Sequence, residues 1–177
     1  MEQLRMVFEG NETENYSLPA GYSFEYYDGK EEQRADWIKI CSQGRLGVDG
    51  TADEFNRDIV KTPGVNPERD LIFVLSPAGE RVATITFFEQ PDRETAWLHM
   101  VCCSEAARGR GIGNAIVSFA TSRLLERGVK KIMLKTDDWR LPAIQAYLRF
   151  GFKPVTEGFD YAERWKAILA SIAEKRG

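Results

Sequence analysis

Two kinds of hydrophobic pattern divide the sequence into predicted strands and helices. Three runs rich in branched and aromatic side chains have the length of strands, and turn residues such as Ser76-Pro77-Ala78-Gly79 separate them. The runs are Leu71 to Leu75, Arg81 to Phe88 and Thr95 to Cys103. Because short turns join antiparallel neighbours, the pattern predicts an antiparallel meander of three strands.

Apolar residues at helical spacing predict helices around this meander. The longest such stretch begins at Ile112 and ends before Gly128, a residue type that often terminates helices. Further helices are predicted over Glu31 to Ser42, Thr51 to Lys61, Leu141 to Arg149 and Tyr161 to Lys175. The run Ile132 to Leu134 predicts a strand parallel to the one before the long helix, through a right-handed crossover. The predicted fold class is α/β, with a mixed, mostly antiparallel sheet flanked by helices.

The N-terminal segment is less regular than the rest of the chain. Residues 1–19 carry charged residues and Asn with little periodicity, and we interpret them as a loosely ordered arm. An aromatic-rich segment over 21–27 predicts a first strand. Residues 20–177 are then predicted to form a single domain, because 43% hydrophobic residues are enough to bury a substantial core.

Charge and cysteine content narrow the classes of function. A formal net charge of −3 gives no general attraction to nucleic acid or to acidic membranes, so neither partner is predicted. Three cysteines, two of them adjacent at Cys102 and Cys103, make no disulfide framework. The sequence shows no secretion signal and no apolar run of membrane-spanning length. We therefore expect a cytoplasmic protein that is a monomer or a homodimer.

The segment from Arg108 to Asn114 carries the clearest signal for ligand binding. It reads Arg-Gly-Arg-Gly-Ile-Gly-Asn and lies between a predicted strand and a predicted helix. Glycine permits a positive φ and close approach of a ligand to the backbone. The start of a helix offers unpaired N–H groups and the positive end of the helix dipole. The segment therefore predicts a site for an anion such as phosphate.

Two motifs, in this order, resemble signatures of the GCN5-related N-acetyltransferases, the GNAT family. The motif Arg108-x-x-Gly111-x-Gly113 is similar to the acetyl-CoA pyrophosphate loop of that family. The motif Ala143-Ile144-x-x-Tyr147-x-x-x-Gly151-Phe152 is similar to its second signature. The resemblance spans roughly Leu71 to Val155 and leaves both ends of the chain outside it.

The resemblance implies a fold, a cosubstrate and a reaction. It implies a GNAT-like sheet in which two parallel strands splay apart at the cofactor site and hold the pantetheine arm of acetyl-CoA. Backbone groups of Val101 and Cys103 would contact that arm. The residues implied to wrap the pyrophosphate are Arg108, Gly109, Arg110, Gly111, Ile112, Gly113 and Asn114. The implied reaction is direct transfer of the acetyl group to a primary amine of a small molecule or peptide.

Such a transfer requires a group that accepts the proton of the amine and a group that protonates the leaving thiolate. Tyr147 matches the tyrosine that protonates the sulfur in the family, with packing near Phe152 as the alternative role. His99 is the only histidine, and its ordinary pKa of about 6.5 suits a base. A hydrogen-bonded structural histidine is the alternative. No metal is expected, because one histidine and cysteines on opposite faces of a strand cannot complete a ligand set.

Other interpretations remain open at this stage. A dinucleotide site is one, because Gly109-x-Gly111 opens a helix and Asp137 follows the next strand, although Asn114 stands where a third glycine is usual. A domain that binds the coenzyme as a sensor, without catalysis, is another. Arg140 occupies a position where many GNAT members carry Asn. It either reaches a phosphate or an acidic substrate group, or is a solvated residue at a helix start. The sequence does not identify the acceptor.

Overall fold

The computed structural model describes residues 2–44 and 49–174, and its centre is a seven-stranded sheet. The strands are β1 Leu4–Phe8, β2 Ser23–Tyr26, β3 Leu71–Leu75, β4 Arg81–Glu89, β5 Thr95–Cys103, β6 Lys131–Thr136 and β7 Lys153–Pro154. Their order across the sheet is β2-β3-β4-β5-β6-β1-β7. The pair β5 and β6 is parallel, and the other neighbouring pairs are antiparallel. The predicted mixed, mostly antiparallel sheet is confirmed.

Helices flank this sheet. They are α1 Glu31–Gln43, α2 Pro67–Asp70, α3 Ile112–Glu126, α4 Leu141–Arg149 and α5 Tyr161–Glu174. The helix predicted over 51–61 is instead built around a π-helical turn, Asn56–Val60. Lys175, the last residue of the predicted C-terminal helix, lies outside the described residues. Within the described part of the chain, no helix combines the length and apolar character needed to cross a membrane.

The N-terminal segment contains an internal strand of the sheet. β1 pairs with β6 from Leu4↔Thr136 to Phe8↔Ile132, and its other edge pairs with β7. Leu4, Met6 and Phe8 alternate along β1 and are buried. The interpretation of residues 1–19 as a loosely ordered arm is therefore wrong for this strand, because alternate apolar side chains of a strand share one face and enter the core.

Two hydrophobic clusters form the core, one on each face of the sheet. The larger cluster joins residues of β1, β4, β5 and β6 with α3, α4 and α5. The smaller cluster joins α1 and the π-helical turn with β3. Alternate residues of β3 enter different clusters, since Ile72 and Val74 belong to the larger and Leu71 and Phe73 to the smaller. Strand residues alternate between faces, so both faces of the sheet are covered.

A matched pair of phenylalanine substitutions tests the place of β1 in the core. Phe8 is 4% exposed and its ring centroid lies 5.4 Å from that of Phe152, whereas Phe159 is 93% exposed. We expect Phe8→Ala to lower the free energy of unfolding by about 3–5 kcal/mol, since it empties a buried site. We expect Phe159→Ala to change it by less than about 0.5 kcal/mol. Urea unfolding measures both, and equal effects would show that β1 contributes nothing to the core.

Candidate active site

β5 and β6 are hydrogen-bonded over only part of their lengths. Thr95 to Leu98 of β5 pair with Lys131 to Leu134 of β6. β5 continues to Cys103 and β6 to Thr136, without further pairing between the two. From His99 onward, the backbone groups of β5 that face β6 therefore have no strand partner. The predicted splaying of two parallel strands is confirmed.

A β-bulge in β5 lies at the point where the strands part. Thr84 and Thr86 of β4 pair with Cys102 and His99, so the two residues Met100 and Val101 oppose a single residue of β4. Met100 has a φ of 52°, a left-handed conformation that is unusual for a residue with a side chain. A bulge bends its strand and increases the local twist. The bulge thus accounts for the change in direction of β5 beyond Leu98.

The glycine-rich loop is open on its outer side. Gly109 and Gly111 have φ values of 74° and 79°, and no non-neighbouring atom lies within 4 Å of the position that a Cβ would take at either residue. The first helical hydrogen bond of α3 runs from Ala115 N–H to the Gly111 carbonyl, at 3.0 Å. No described residue accepts a backbone hydrogen bond from the amides of residues 112–114. The start of α3 can therefore receive an anion, as the sequence predicts.

The two arginines of this loop have different surroundings. Arg108 donates through Nη2 to the carbonyl oxygen of Gln43 at 2.5 Å, and the Gln43 side-chain oxygen accepts from the Glu105 amide at 2.9 Å. These contacts tie the loop to the end of α1. Within the described part of the chain, Arg110 makes only a long contact, 3.4 Å from Nη1 to the Tyr22 hydroxyl. Arg108 therefore positions the loop, whereas the guanidinium of Arg110 is largely available to a ligand.

A cavity of about 440 Å³ lies beside the splayed strands. Its walls come from β5, from the end of β6, from α4 and the residue before it, and from the π-helical turn. The cavity brings together three of the predicted site residues, His99, Val101 and Tyr147. Cys103 and the glycine-rich loop do not line it. They lie next to each other, because a Cβ at Gly113 would be 3.8 Å from the Cys103 Sγ.

His99 is held by a backbone carbonyl of the π-helical turn. Its Nε2 lies 2.8 Å from the Asp58 carbonyl oxygen, which can only accept, so Nε2 carries the hydrogen and Nδ1 the lone pair of the neutral ring. Burial lowers the pKa of His99 below its ordinary value, and the charge of Lys135 acts in the same direction, while the bond to Asp58 opposes them. The ring is therefore neutral near pH 7.

Pro63 offers no backbone donor that would compete with His99 for the Asp58 carbonyl. In the π-helical pattern the donor to this carbonyl would be residue 63, since the Lys61 amide donates to Asn56, five residues back, at 2.8 Å. Proline has no N–H. The Thr62 amide donates instead to Ile59, and the Thr62 hydroxyl donates to Asp58 at 2.7 Å. The remaining acceptor capacity of the Asp58 oxygen is used by His99.

Tyr147 is buried and contributes to the wall of the cavity. Its ring packs at 5.9 Å from that of Phe152, and among the described residues none hydrogen-bonds to its hydroxyl. Burial raises the pKa of Tyr147 to about 12, against an opposing effect of Arg140. The phenol is thus fully protonated at neutral pH. Both roles suggested by the sequence, core packing and proton donation, are compatible with this position.

The cysteine at the end of β5 is a poor nucleophile. Burial raises the pKa of the Cys103 thiol to about 12, and the neighbouring Cys102 adds to this effect. The thiolate, which is the reactive form, is therefore scarce at neutral pH. Within residues 2–44 and 49–174 there is no group of three His, Cys, Asp or Glu side chains that could hold a metal ion.

Sequence reasoning missed most of the cavity wall. Gln3 lies in the segment interpreted as an arm, and Lys135 lies at the end of the predicted strand but was given no role in a site. Asp58 belongs to the helix predicted over 51–61, but the sequence did not indicate its π-helical geometry, and Thr62 follows just after it. The alternation of Leu4, Met6 and Phe8 was the one available signal for the N-terminal contribution.

Comparison with known sequences identifies a family. The family described as Acetyltransferase (GNAT) family matches residues 26–152. A protein named mycothiol acetyltransferase from Corynebacterium jeikeium (strain K411) is 37% identical over 70 residues, which are 40% of this chain. The chain spans only 20% of the length of that relative.

Comparison with solved structures gives the same fold. A GCN5-related N-acetyltransferase from Sphaerobacter thermophilus has a TM-score of 0.63 at 17% identity, over 88% of this chain and 50% of that one. A GCN5-related N-acetyltransferase from Kribbella flavida has a TM-score of 0.60 at 19% identity, over 92% of this chain and 61% of that one. At these identities the likeness concerns the fold alone.

The environment of His99 leads to a direct titration test. We expect a pKa below about 6.5 for this residue, because burial disfavours the charged ring. Below about pH 6.5 the unfolded chain then binds a proton that the native state does not, so His99 reduces stability as the pH falls. NMR titration of the ring protons measures the pKa without ambiguity, since the chain has one histidine. A pKa at or above that of a free histidine would contradict the buried, neutral state.

Proposed function

We propose that this chain, which belongs to the acetyltransferase (GNAT) family, transfers the acetyl group of acetyl-CoA directly to a primary amine of a small molecule or peptide. One observation carries the proposal. The open start of α3, with its left-handed Gly109 and Gly111, adjoins the unpaired edge of β5, which leads into the cavity beside His99. An extended ligand with a phosphorylated end and a reactive end fits such an arrangement.

The phosphate end is assigned to the loop from Arg108 to Asn114. Free amides at the start of α3 and the guanidinium of Arg110 suit a pyrophosphate, while Arg108 keeps the loop in place. The arm of the coenzyme is assigned to β5, where backbone groups of Val101 and Cys103 would bind its amides. The lack of a β6 partner for this part of β5 supports the assignment, since an amide-bearing ligand would satisfy the same backbone groups.

The chemistry at the other end needs two proton transfers. Acetyl-CoA supplies the acetyl group as a thioester. As the amine nitrogen bonds to the acetyl carbon and the C–S bond breaks, His99 would accept the amine proton at Nδ1 and Tyr147 would donate its hydroxyl proton to the sulfur. The unpaired N–H groups of β5 beyond Leu98 would stabilise the negative charge that develops on the acyl oxygen. The products are the N-acetyl amine and the free thiol.

The dinucleotide alternative has little support from the fold. Domains of that kind are built on a mostly parallel sheet, whereas β5 and β6 form the single parallel pair among the described strands. The coenzyme-binding sensor differs from the enzyme only in turnover, which the next experiment measures.

We also propose a cytoplasmic location, which the free thiols of Cys41, Cys102 and Cys103 favour. We propose that the protein is a monomer or a homodimer and that neither nucleic acid nor a membrane is a partner.

The role of Tyr147 is tested by replacing its hydroxyl. We expect Tyr147→Phe to lower kcat about 100-fold or more, because a positioned general acid contributes roughly that much. Calorimetric binding of CoA should stay unchanged, since the ring and its packing remain. Tyr26→Phe, at an exposed residue of β2, serves as the control and should keep full activity. Full kcat in Tyr147→Phe would show that this side chain serves packing alone. If the wild-type protein bound CoA but released no thiol from acetyl-CoA, the coenzyme-binding sensor would be favoured over the enzyme.

The role of the glycine-rich loop is tested by two glycines with the same conformation. Gly111 and Gly79 both have a φ of 79° and open space around the missing Cβ, but Gly79 lies in the turn between β3 and β4. We expect alanine to cost about 1–2 kcal/mol of stability at either position, because it strains a left-handed backbone. Only Gly111→Ala should weaken CoA binding, by about tenfold, or about 1.4 kcal/mol. Equal CoA affinity in the two variants would place the phosphate elsewhere.

A further inference from the structure

Two cations at the cavity have no acidic partner among residues 2–44 and 49–174. The Lys135 Nζ lies over the ring of Trp97, 5.7 Å from its centroid, and the Arg140 guanidinium lies over the ring of Trp139 at the same distance. Among the described residues, neither side chain makes a hydrogen bond or an ion pair. Lys135, Trp97 and Arg140 all line the cavity, so both positive charges are available to a molecule inside it.

The nearby carboxylates are already engaged. Asp58, the acidic residue that lines the cavity, receives two hydrogen bonds from Arg57, at 2.7 and 2.6 Å. Asp137 accepts from the Gln3 side-chain amide at 3.1 Å. Asp138 is held by Arg164 at 2.9 Å. Asp137 keeps its charge, because the Gln3 amide is neutral, but Asp137 does not line the cavity. Among the charged side chains that do, Lys135 and Arg140 outnumber Asp58, so the described lining carries a net positive charge.

Both cations act on the groups assigned to catalysis. Burial is the main cause of the lowered pKa of His99, and Lys135 lowers it further. Burial is also the main cause of the raised pKa of Tyr147, and Arg140 counteracts it. In a partly desolvated cavity such charges repel a protonated amine and attract an anion. A polyamine is thus a poor match for this cavity.

Building on the proposed acetyl transfer, we infer that the acceptor is an amine that also carries an anionic group, a carboxylate or a phosphate, bound by Lys135 and Arg140. The same charges favour the neutral form of the acceptor amine, because they destabilise its ammonium form. A smaller fraction of ammonium form makes it easier for His99, whose pKa is lowered, to accept the proton of the acceptor amine. Phe88, Trp97 and Met100 line the same cavity and would contact the apolar part of the acceptor.

Matched pairs of acceptors test this inference. Thiol release from acetyl-CoA is followed with L-leucine against L-leucinamide and with glucosamine 6-phosphate against glucosamine, and with spermidine as a polycation. We expect the anionic member of one pair to have a kcat/KM at least about tenfold above its neutral partner, which corresponds to about 1.4 kcal/mol. The preferred pair identifies the anionic group as carboxylate or phosphate. Equal values within both pairs, or efficient acetylation of spermidine, would overturn the inference.

Charge-removing variants locate the effect in the cavity. We expect Lys135→Met and Arg140→Met to reduce the ratio of the neutral acceptor's KM to the anionic acceptor's KM about tenfold, since one charge-assisted contact is worth about that much and a changed pKa of His99 or Tyr147 affects both acceptors alike. Lys166→Met removes a charge of the same sign from the exposed face of α5 and serves as the control. Equal KM values in wild type and both cavity variants would overturn the assignment of these residues.

Binding separates this inference from the proposed reaction. Calorimetry with the CoA-loaded protein compares the affinities of L-leucine and L-leucinamide, and of the two sugars, without requiring turnover. Tighter binding of an anionic acceptor than of its neutral partner, with the difference lost in Lys135→Met, would support anion recognition. This holds even if no acceptor caused thiol release from acetyl-CoA, a result that would contradict only the proposed acetyl transfer. Equal binding of anionic and neutral members would overturn the anion recognition whether or not the chain acetylates amines.

Discussion

The interrupted ladder between β5 and β6 is the constraint on which the rest of the structure depends. Backbone N–H and C=O groups in a protein interior are almost always paired, so two neighbouring strands that part within a sheet are costly. Here the pairing stops after Leu98 and Leu134, although both strands continue. The left-handed Met100 adds a local cost of about 1–3 kcal/mol. The remainder of the fold must hold the two strands in this arrangement.

Each of the parted strands is held from its outer side. β4 pairs with β5 as far as Ala83↔Cys103, beyond the bulge. β1 pairs with β6 from Phe8↔Ile132 to Leu4↔Thr136, so that its pairs with Lys135 and Thr136 cover the end of β6 that β5 has left. The gap between β5 and β6 therefore requires β1, because without β1 the end of β6 would lack a partner on both edges. The clusters on both faces then fix the strands against the helices.

The difference between sequence prediction and structure follows from the range of the interactions involved. The loop 108–114, α3 and α4 were predictable, because glycine conformations and helical periodicity are local properties of the chain. β1 was missed because a run of five residues carries a weak signal, and its partner β6 lies more than 120 residues away. The particular side chains of the cavity wall were not predictable for the same reason, since Gln3, Asp58 and Lys135 meet only after folding. Family resemblance supplied Tyr147, but not the contacts that orient His99.

Pro63, which has no backbone N–H, lies beside the carbonyl that orients His99. The imidazole donates to the Asp58 carbonyl, which lies near the end of the π-helical turn, and residue 63 has no amide hydrogen that would compete for that oxygen. A residue with an N–H at position 63 would compete with His99 for the Asp58 carbonyl. The hydrogen bond that fixes the tautomer of the His99 ring would then be weaker. If His99 acts as proposed, a change at this position would alter its proton transfer while every charged and nucleophilic group stayed in place. The residue at position 63 would then influence which ring nitrogen of His99 carries the proton, although its own side chain takes no part in the reaction.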